Sequence, residues 1–371
     1  MPKVAHLTSV HPRFDTRIFI KMCCSLARSG YEVSLVVADG KGDEVKNDVN
    51  IYDVGATEGG RLSRMTKTVD RVHTKAKALD VDVYHIHDPE LMPVGRKLKV
   101  LGKKVIFDAH EDLPKQLMGR DYLHPLLRRA LSLVFTYVER FFCPSFDAIV
   151  TATPVIRDKF LKINKRSLDI NNYPILGELG DLQREVDWLE KYSEVCYVGV
   201  IADIRGGREI VKSLEQLEGV RLNFAGPFFG VEFEAEIKGY KGWQQVTDHG
   251  FLNREQVREI MQRSIAGLVT FHNLPNHVDA QPNKMFEYMS AGLPVIASNF
   301  PLWREIVEGN QCGICVNPQD VSAIAAAIKT LVDEPDKAKQ MGEKGKNAVF
   351  TKYNWQKEEE KLMGLYGELT H

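Results

Sequence analysis

The chain has 371 residues, of which 44% are hydrophobic and 27% charged, and its formal net charge at pH 7 is −1. This length exceeds the usual size of one hydrophobic core, so two globular domains are expected. The near-zero charge gives no overall reason to bind nucleic acid, and no nucleic-acid partner is expected.

The N-terminus and the cysteines indicate a reducing compartment. Residues 1–3 run directly into an apolar strand, which is too short and too polar for a signal peptide, and no stretch of about 18 apolar residues predicts a membrane-spanning helix. A cytoplasmic location is therefore expected. The six cysteines are interpreted as reduced core thiols, and Cys312 and Cys315, spaced as in a redox or zinc half-site, are assigned to a buried strand because no second pair accompanies them.

Short apolar runs alternate with amphipathic helices, as in parallel sheets covered on both faces. The first predicted helix shows Ile18, Met22 and Leu26 at four-residue spacing, with Asp15 or Thr16 as N-cap and Gly30 at its end. The first series of predicted strands comprises residues 3–9, 32–38, 82–87, 104–109 and 147–152.

A second series of strands predicts a second doubly wound sheet. Its members are residues 194–199, 220–225, 244–247, 265–271, 294–298 and 313–316. Residues 171–180 are rich in turn formers and suit a hinge. Three segments are predicted: an N-terminal domain over 1–172, a C-terminal domain over 173–353, and a crossover helix over 354–371 that packs back on the first domain.

Polar residues follow the first strand, where the chain turns into its helix. His11, Arg13, Asp15 and Arg17 replace the glycines that would bring bare backbone close to a phosphate. They are candidates for binding an acceptor or a phosphate. Helix capping and surface roles are the alternative.

Histidines lie at the ends of two further strands. His110 follows the predicted strand 104–109 and is a candidate to hydrogen-bond a substrate, with a structural hydrogen bond to backbone as the alternative. His85 and His87 are expected to face opposite sides of their strand, and His87 is a candidate to line a cleft.

Residues 122–142 are strongly apolar with arginines at intervals. A core helix with charged flanks is one interpretation. The other is an interfacial helix that brings the protein to a lipid-linked acceptor on an anionic membrane, at the inner face of the plasma membrane.

The second series opens with a strand, a glycine-containing loop and a helix. Glycines allow a phosphate to approach the backbone closely, and an arginine fork offers several donors to its oxygens. Surface roles remain the alternative for both arginines. The candidate phosphate-binding residues are Gly199, Arg205, Gly206 and Arg208.

The segment 279–298 predicts a short helix between a loop and a strand. Asn283 is the expected N-cap and Gly292 the expected terminator. Since a helix N-terminus at the carboxyl edge of a parallel sheet favours anions, Asn283 and Lys284 are expected to bind a diphosphate. Glu287 can accept hydrogen bonds from a ribose and Asp279 from a sugar, unless they merely cap and decorate the helix.

This segment resembles the family-4 retaining glycosyltransferases of the GT-B fold, which carry two glutamates separated by seven residues before a small-residue, Gly, Pro, Val pattern. Here the first glutamate is Asp279. The resemblance extends over nearly the whole chain and implies two Rossmann-like domains facing a cleft. It implies that Glu287 holds the ribose, Asp279 touches the donor sugar, His110 belongs to the active-site histidine segment, and Arg205 neutralises the leaving diphosphate.

A Gly-Arg pair common in the family is Gly199-Val200 here, so Arg208 or Lys284 is expected to supply the second cation.

The resemblance implies a sugar transfer from a nucleotide-diphosphate sugar, by default a uridine one, to a glycan or lipid-linked acceptor with retention, in cell-surface polysaccharide or glycolipid synthesis. No zinc, Walker or Asp-x-Asp motif appears where a metal would hold the diphosphate, so neither a metal nor another cofactor is expected. The proposed catalytic residues are His110, Arg205, Asp279 and Glu287. The alternatives are a nucleotide-sugar epimerase on the same scaffold and a non-catalytic nucleotide-sugar-binding protein.

Overall fold

The computed structural model describes residues 1–60, 63–119, 123–179, 188, 191 and 193–370. The chain divides into two compact units: unit 1 contains Met1–Asn172 and Gln356–His371, and unit 2 contains Tyr173–Trp355. Gly180, at the end of the predicted hinge, and Tyr122, at the start of the apolar stretch, lie outside the described residues.

Unit 1 is built on an eight-stranded sheet with the strand order β3-β4-β2-β1-β5-β6-β7-β8. Every neighbouring pair is parallel except β3 with β4. The strands are β1 (Lys3–Leu7), β2 (Glu32–Val37), β3 (Glu44–Lys46), β4 (Val49–Asp53), β5 (Val83–Ile86), β6 (Lys104–Ala109), β7 (Ala148–Thr151) and β8 (Ser167–Asp169).

Helices connect these strands. They are α1 (Cys24–Arg28), α2 (Val69–Leu79), α3 (Met92–Val100), α4 (Leu113–Met118), α5 (Pro125–Phe142) and α6 (Pro154–Phe160). A π-helical segment, Thr16–Cys23, leads into α1, and its N-cap is Asp15, as predicted, whose side chain accepts hydrogen bonds from the backbone N–H groups of Arg17 and Ile18.

Unit 2 contains a six-stranded, fully parallel sheet with the order β11-β10-β9-β12-β13-β14. Its strands are β9 (Glu194–Val198), β10 (Arg221–Ala225), β11 (Val246–Asp248), β12 (Ala266–Val269), β13 (Val295–Ser298) and β14 (Gly313–Val316). Its helices are α7 (Gly207–Leu214), α8 (Val231–Lys238), α9 (Arg254–Arg263), α10 (Asn283–Ser290), α11 (Pro301–Val307), α12 (Val321–Asp333) and α13 (Pro335–Thr351).

The last helix, α14 (Trp355–Thr370), begins at the end of unit 2 and packs against unit 1, as predicted. The Tyr366 hydroxyl is buried and lies 3.1 Å from Nε2 of His6 and 2.9 Å from Nδ1 of His85. The Glu358 carboxylate accepts a 2.7 Å hydrogen bond from the backbone N–H of Asn171. The Tyr366 contacts hold the helix against β1 and β5, and the Glu358 contact holds it beside the end of β8.

The prediction of two doubly wound parallel sheets is confirmed. All eleven predicted strands are present within one or two residues of their bounds, but β3, β4 and β8 were missed. Two of these three strands have only three residues, and β3 and β8 lie at the edges of the sheet, where apolar patterning is weak. Among the described residues, no helix is both long and apolar enough to cross a bilayer.

Candidate functional site

In unit 2, the order of the strands reverses between β9 and β12, which are neighbours although distant in sequence. Ligands of open α/β sheets bind at the carboxyl ends of the strands at such a reversal. The chain leaves β9 at Gly199 and leaves β12 at Thr270. The residues that follow these two strands therefore define the candidate site of unit 2.

Lys284 extends from α10 into this site and is buried. Its ammonium nitrogen lies 3.4 Å from the centre of the Tyr197 ring. Among the described residues, no hydrogen-bond partner reaches this nitrogen. Burial, and secondly the charge of Arg205, holds the pKa of Lys284 well below its usual value.

Arg205 supplies a second cation to the same place. Its guanidinium carbon lies 5.3 Å from the centre of the Phe271 ring, and the Lys284 nitrogen lies 5.5 Å from that centre. Tyr197 lies in the same region, and its hydroxyl donates a 2.9 Å hydrogen bond to the carbonyl oxygen of Val200. Two basic side chains thus lie against the same aromatic ring, an arrangement that favours an anion.

The glycines of the site allow the two strand ends to lie close together. Gly199 has a φ of +107°, and a Cβ on this residue would meet the Lys284 nitrogen at 3.4 Å. Gly206 has a φ of +79°, and a Cβ there would collide with the carbonyl oxygen of Thr270. The backbone at Gly206 therefore lies directly against Thr270, where the loops after β9 and β12 meet.

The short helix α10 starts differently from the prediction. Asn283 is its first residue, and the N-cap is Pro282 without a side-chain capping bond, so the assignment of Asn283 as N-cap was wrong. Proline has a fixed φ and suits the turn that starts this helix. Gly292 has a φ of +72° directly after the helix, as expected of a terminator.

Glu287 lies one turn into α10 and is already paired. Its Oε1 accepts a 2.8 Å hydrogen bond from Arg254, which also binds Glu178 at 2.8 Å. Since Arg254 holds one carboxylate oxygen of Glu287, the other oxygen is the natural acceptor for a ligand hydroxyl. Arg254 therefore orients Glu287, although no pattern in the sequence indicates this contact.

Asp279 lies in the turn before α10 and is partly buried. The Trp303 indole N–H donates a 2.7 Å hydrogen bond to the carbonyl oxygen of Ala280 and so anchors the backbone beside Asp279. Arg208 has different surroundings, because its guanidinium binds the carboxylates of Asp203 and Glu236. Arg205 and Lys284 are thus the two cations near the strand ends, and the predicted role of Arg208 has no support from its contacts.

Unit 1 has its own reversal of strand order, between β1 and β5. His87 directly follows β5, and His110 directly follows the adjacent strand β6. The buried carboxylate of Asp108 lies 3.3 Å from His87 Nδ1 and 3.2 Å from His110 Nε2. Arg17 binds this carboxylate with two hydrogen bonds of 3.0 and 2.8 Å.

The expectation for His85 and His87 was wrong. Their ring centres are 4.6 Å apart and the rings are stacked, because residues two apart on a strand share one face. His6 of β1 stacks beside both. Burial lowers the pKa of His87 to about 4, an effect only partly opposed by Asp108.

The loop after β1 is held by ion pairs and caps. Arg13 is buried and binds Asp39 at 2.8 and 2.6 Å, and it also pairs with Glu44. Asp15 caps the following helix. His11 lies 3.4 Å from Asp88, and its ring centre is 4.8 Å from that of His110. The contacts of Arg13 and Asp15 favour the structural alternative, whereas His11 lies beside the histidine that was proposed for the site.

Two doubly wound units, one with two basic side chains at its strand reversal, have the architecture of a GT-B glycosyltransferase. The chain matches the model of glycosyl transferases group 1 over residues 181–348 and that of the glycosyl transferase 4-like domain over residues 17–167. Together these matches cover most of the chain, which belongs to the family-4 glycosyltransferases.

The chain is similar in sequence to several named glycosyltransferases. The chain is 25% identical over 276 residues to alpha-D-kanosaminyltransferase of Streptomyces kanamyceticus, covering 68% of this chain and 70% of that protein. It is 23% identical over 169 residues to glycogen synthase of Mycobacterium tuberculosis, covering 44% of this chain and 40% of the synthase. The chain thus spans less than half the length of that synthase.

Solved structures show the same fold. Sucrose-phosphate synthase from Thermosynechococcus elongatus has a TM-score of 0.79 at 18% identity, covering 100% of this chain and 99% of that one. Anabaena Alr3699/HepE in complex with UDP-glucose has a TM-score of 0.73 at 14% identity, covering 99% of both chains.

Replacing Gly206 tests the close approach in unit 2. Gly206→Ala places a Cβ against the Thr270 carbonyl oxygen and a side chain at positive φ, so the free energy of unfolding should fall by about 2 kcal/mol or more. The matched control is Gly219→Ala, because Gly219 has a φ of +71° and a Cβ on it would meet nothing within 4 Å. Thermal unfolding of both variants measures the difference, and equal losses would contradict the close approach.

Proposed function

We propose that the protein transfers a sugar from a nucleotide-diphosphate sugar, by default a uridine one, to a glycan or lipid-linked acceptor, with retention and without a metal on the diphosphate. The observation that carries this proposal is the buried ammonium of Lys284, which has no hydrogen-bond partner in the described residues. A buried, unpaired cation is costly unless an anion completes it. A diphosphate supplies that anion.

The remaining contacts of unit 2 fit the parts of such a donor. Arg205 and Lys284 would neutralise the diphosphate, Glu287 would accept hydrogen bonds from the ribose, and Asp279 would bind hydroxyls of the sugar. Uridine is supported by solved relatives, since Alr3699/HepE is described in complex with UDP and with UDP-glucose. We propose that unit 2 binds the donor, and we retain His110 as a proposed catalytic residue.

The proposed transfer breaks one bond and forms another while the basic side chains of unit 2 stabilise the leaving diphosphate. The bond between the anomeric carbon and the diphosphate oxygen breaks, and its electron pair leaves with the diphosphate. The acceptor oxygen forms the new bond on the same face, and its proton passes to the leaving phosphate oxygen. Cations fixed beside that oxygen stabilise the charge that develops as the bond breaks.

Lys284→Met should have opposite effects on stability and on binding. Removing an unpaired buried charge should raise the melting temperature of the ligand-free protein by about 2 °C or more. The same change removes a charge-assisted hydrogen bond, so the Kd for UDP should rise by about tenfold or more. Thermal shift measured with and without UDP reports both quantities.

The control for this variant is Lys329→Met, which removes an exposed lysine of the same unit and should leave UDP binding unchanged. A Lys284→Met protein that binds UDP as tightly as the wild type would contradict the proposed diphosphate contact. Thermal shift with guanosine and adenosine diphosphates in parallel identifies the base.

Arg205→Ala should reduce turnover by about a hundredfold or more, because Arg205 stabilises the leaving group rather than the resting donor alone. The assay follows release of nucleoside diphosphate and formation of the glycoside, with exposed Arg221→Ala as control. Near-normal turnover would remove Arg205 from the mechanism. Incubation with donor alone separates two alternatives, since an isomerised sugar would identify an epimerase and slow hydrolysis supports a transferase. Absence of turnover in the assay with acceptors would favour a non-catalytic binding protein.

The surface of α5 supports a proposed contact with an anionic membrane. One face of this helix carries four apolar side chains that are each more than 60% exposed: Leu126, Leu133, Tyr137 and Phe141. Glu139 is the only acidic residue of this helix; it is buried and paired with Lys159. Arg96 lies 4.4 Å above the Phe141 ring, and beside it Val100 at the end of α3 is 83% exposed. An apolar face bordered by arginines fits anionic headgroups over acyl chains.

Flotation with vesicles tests this contact. The protein should float with phosphatidylcholine vesicles that contain about 30 mol% phosphatidylglycerol and less with phosphatidylcholine alone. The double variant Leu133→Ser/Tyr137→Ser should lose most of the binding, whereas Phe251→Ser, which changes an exposed aromatic residue of unit 2, should retain it. Absence of flotation with anionic vesicles would contradict the proposed membrane contact.

A further inference from the structure

Five side chains in the interior of unit 1 form a closed circuit of polar groups. Nε2 of His87 lies 2.8 Å from Nδ1 of His6, and Nε2 of His6 lies 3.1 Å from the Tyr366 hydroxyl. That hydroxyl lies 2.9 Å from Nδ1 of His85. Oδ2 of Asp108 closes the circuit, at 3.3 Å from Nδ1 of His87 and 3.9 Å from Nε2 of His85. All five side chains are buried, so the circuit has to satisfy its own donors and acceptors.

Each histidine of the circuit supplies one donor and one acceptor. Burial holds the pKa of His6 and that of His85 well below the usual value and lowers the pKa of His87 to about 4, so the three side chains are neutral at pH 7. A neutral imidazole carries a proton on one nitrogen and a lone pair on the other. The hydrogen bonds through the Tyr366 hydroxyl therefore all run in one direction around the circuit, and two directions are available.

The two directions differ at His85. In the first, His87 donates to His6, His6 to Tyr366 and Tyr366 to His85, so Nε2 of His85 carries a proton. In the second, every bond is reversed and this nitrogen carries a lone pair. It has no hydrogen-bond partner among the described residues and lies 3.9 Å from the Asp108 carboxylate. Since the negative oxygen attracts an N–H and repels a lone pair, the first direction is favoured.

The favoured direction determines where His110 carries its proton. It leaves a lone pair on Nδ1 of His87, which lies 3.2 Å from Nε2 of His110. The same Nε2 lies 3.2 Å from Oδ2 of Asp108, which only accepts hydrogen bonds. Burial opposes the ionisation of Asp108, but Arg17, which binds both of its oxygens, holds its pKa well below the usual value. Because both neighbours of Nε2 are acceptors, this nitrogen carries the proton.

We propose that Asp108 and Tyr366 are positioning residues that keep the proton of His110 on Nε2, so that Nδ1 offers a lone pair to a hydroxyl of a bound substrate. The side chain of His110 is 19% exposed, whereas the circuit behind it is buried. A lone pair attracts a sugar hydroxyl and repels a phosphate oxygen. The identity of this ligand rests on the proposed function, in which His110 is a catalytic residue, but the proton positions do not.

The positions of the protons can be measured in the ligand-free protein without an activity assay. Perdeuterated protein with protonated, ¹⁵N-labelled histidine is studied at about pH 8, above the usual titration range of histidine. Long-range ¹H–¹⁵N correlation spectra separate ring nitrogens that carry a proton from those with a lone pair, and His110→Gln identifies the His110 signals. The proton should lie on Nε2 of His110. A proton on Nδ1 of His110 in the wild type would overturn the proposal.

Asp108→Asn should invert this arrangement. The amide oxygen keeps a hydrogen bond from Arg17, and the NH₂ group then faces the histidines, so Nε2 of His110 has to accept and Nδ1 carries the proton. An N–H then replaces the lone pair offered to the substrate, and turnover should fall by about tenfold or more. An unchanged proton position in Asp108→Asn would contradict the role of Asp108.

Tyr366→Phe breaks the circuit without touching Asp108 or its partner Arg17. The direction of the hydrogen bonds is then no longer fixed, so a second His110 population with the proton on Nδ1 should appear, and turnover should fall by about fivefold. Tyr84→Phe is the matched control, because the buried Tyr84 hydroxyl of the same unit also makes two hydrogen bonds, to Val81 and Ala76. This variant should lose similar stability in thermal unfolding and keep the wild-type proton positions.

The outcomes separate this inference from the proposed function. A single His110 population with its proton on Nε2 in Tyr366→Phe, or a second population in Tyr84→Phe as well, would overturn the role of Tyr366. Normal turnover in His110→Gln would contradict the proposed function and leave the proton positions in place. The predicted spectra together with loss of turnover in His110→Gln would support both.

Discussion

The proposed function of unit 2 depends on one buried group, the ammonium of Lys284. The ammonium nitrogen lies 3.4 Å from the centre of the Tyr197 ring. A cation–π contact compensates for only part of the hydration free energy that an ammonium loses on burial. Arg205 adds a like charge nearby rather than a compensating one. The arrangement is unfavourable for stability alone, which is the reason for proposing that an anionic ligand binds there. Perturbed charges in such a position are a mark of function in general.

The topology of the two sheets explains where this chemistry is located. In each unit the strand order reverses beside the first strand of the sheet, and the loops at the reversal separate to opposite faces. In unit 2 the loops at the strand reversal contain glycines and basic residues, whereas in unit 1 they contain histidines and carboxylates. The same architecture thus offers an anion site in one unit and a histidine cluster in the other. The contents of the loops, rather than the fold, distinguish the two.

The sequence predicted the parts of this account that depend on local pattern. The alternation of strands and helices is visible in apolar periodicity, and Gly292 and Asp15 were found because terminators and caps have characteristic residue types. The candidate residues Gly199, Arg205, Lys284 and Glu287 were proposed from a motif and from the rule that parallel strands bind ligands at their carboxyl ends, and their roles stay predictions. What could not be predicted was three-dimensional pairing. Arg254 is 33 residues from Glu287, and the pairing of Arg17 with Asp108 spans 91 residues, so no local pattern reveals either contact. His85 and His87 were misplaced through an error about strand geometry, since alternate residues share a face.

The central claim is that the two cations of unit 2 hold a diphosphate, and a crystal structure of the protein with UDP tests it most directly. The account predicts phosphate oxygens within hydrogen-bonding distance of the Lys284 ammonium and the Arg205 guanidinium, with a ribose hydroxyl at the free oxygen of Glu287. A nucleotide bound elsewhere, with Lys284 still lying unpaired against Tyr197, would contradict the account.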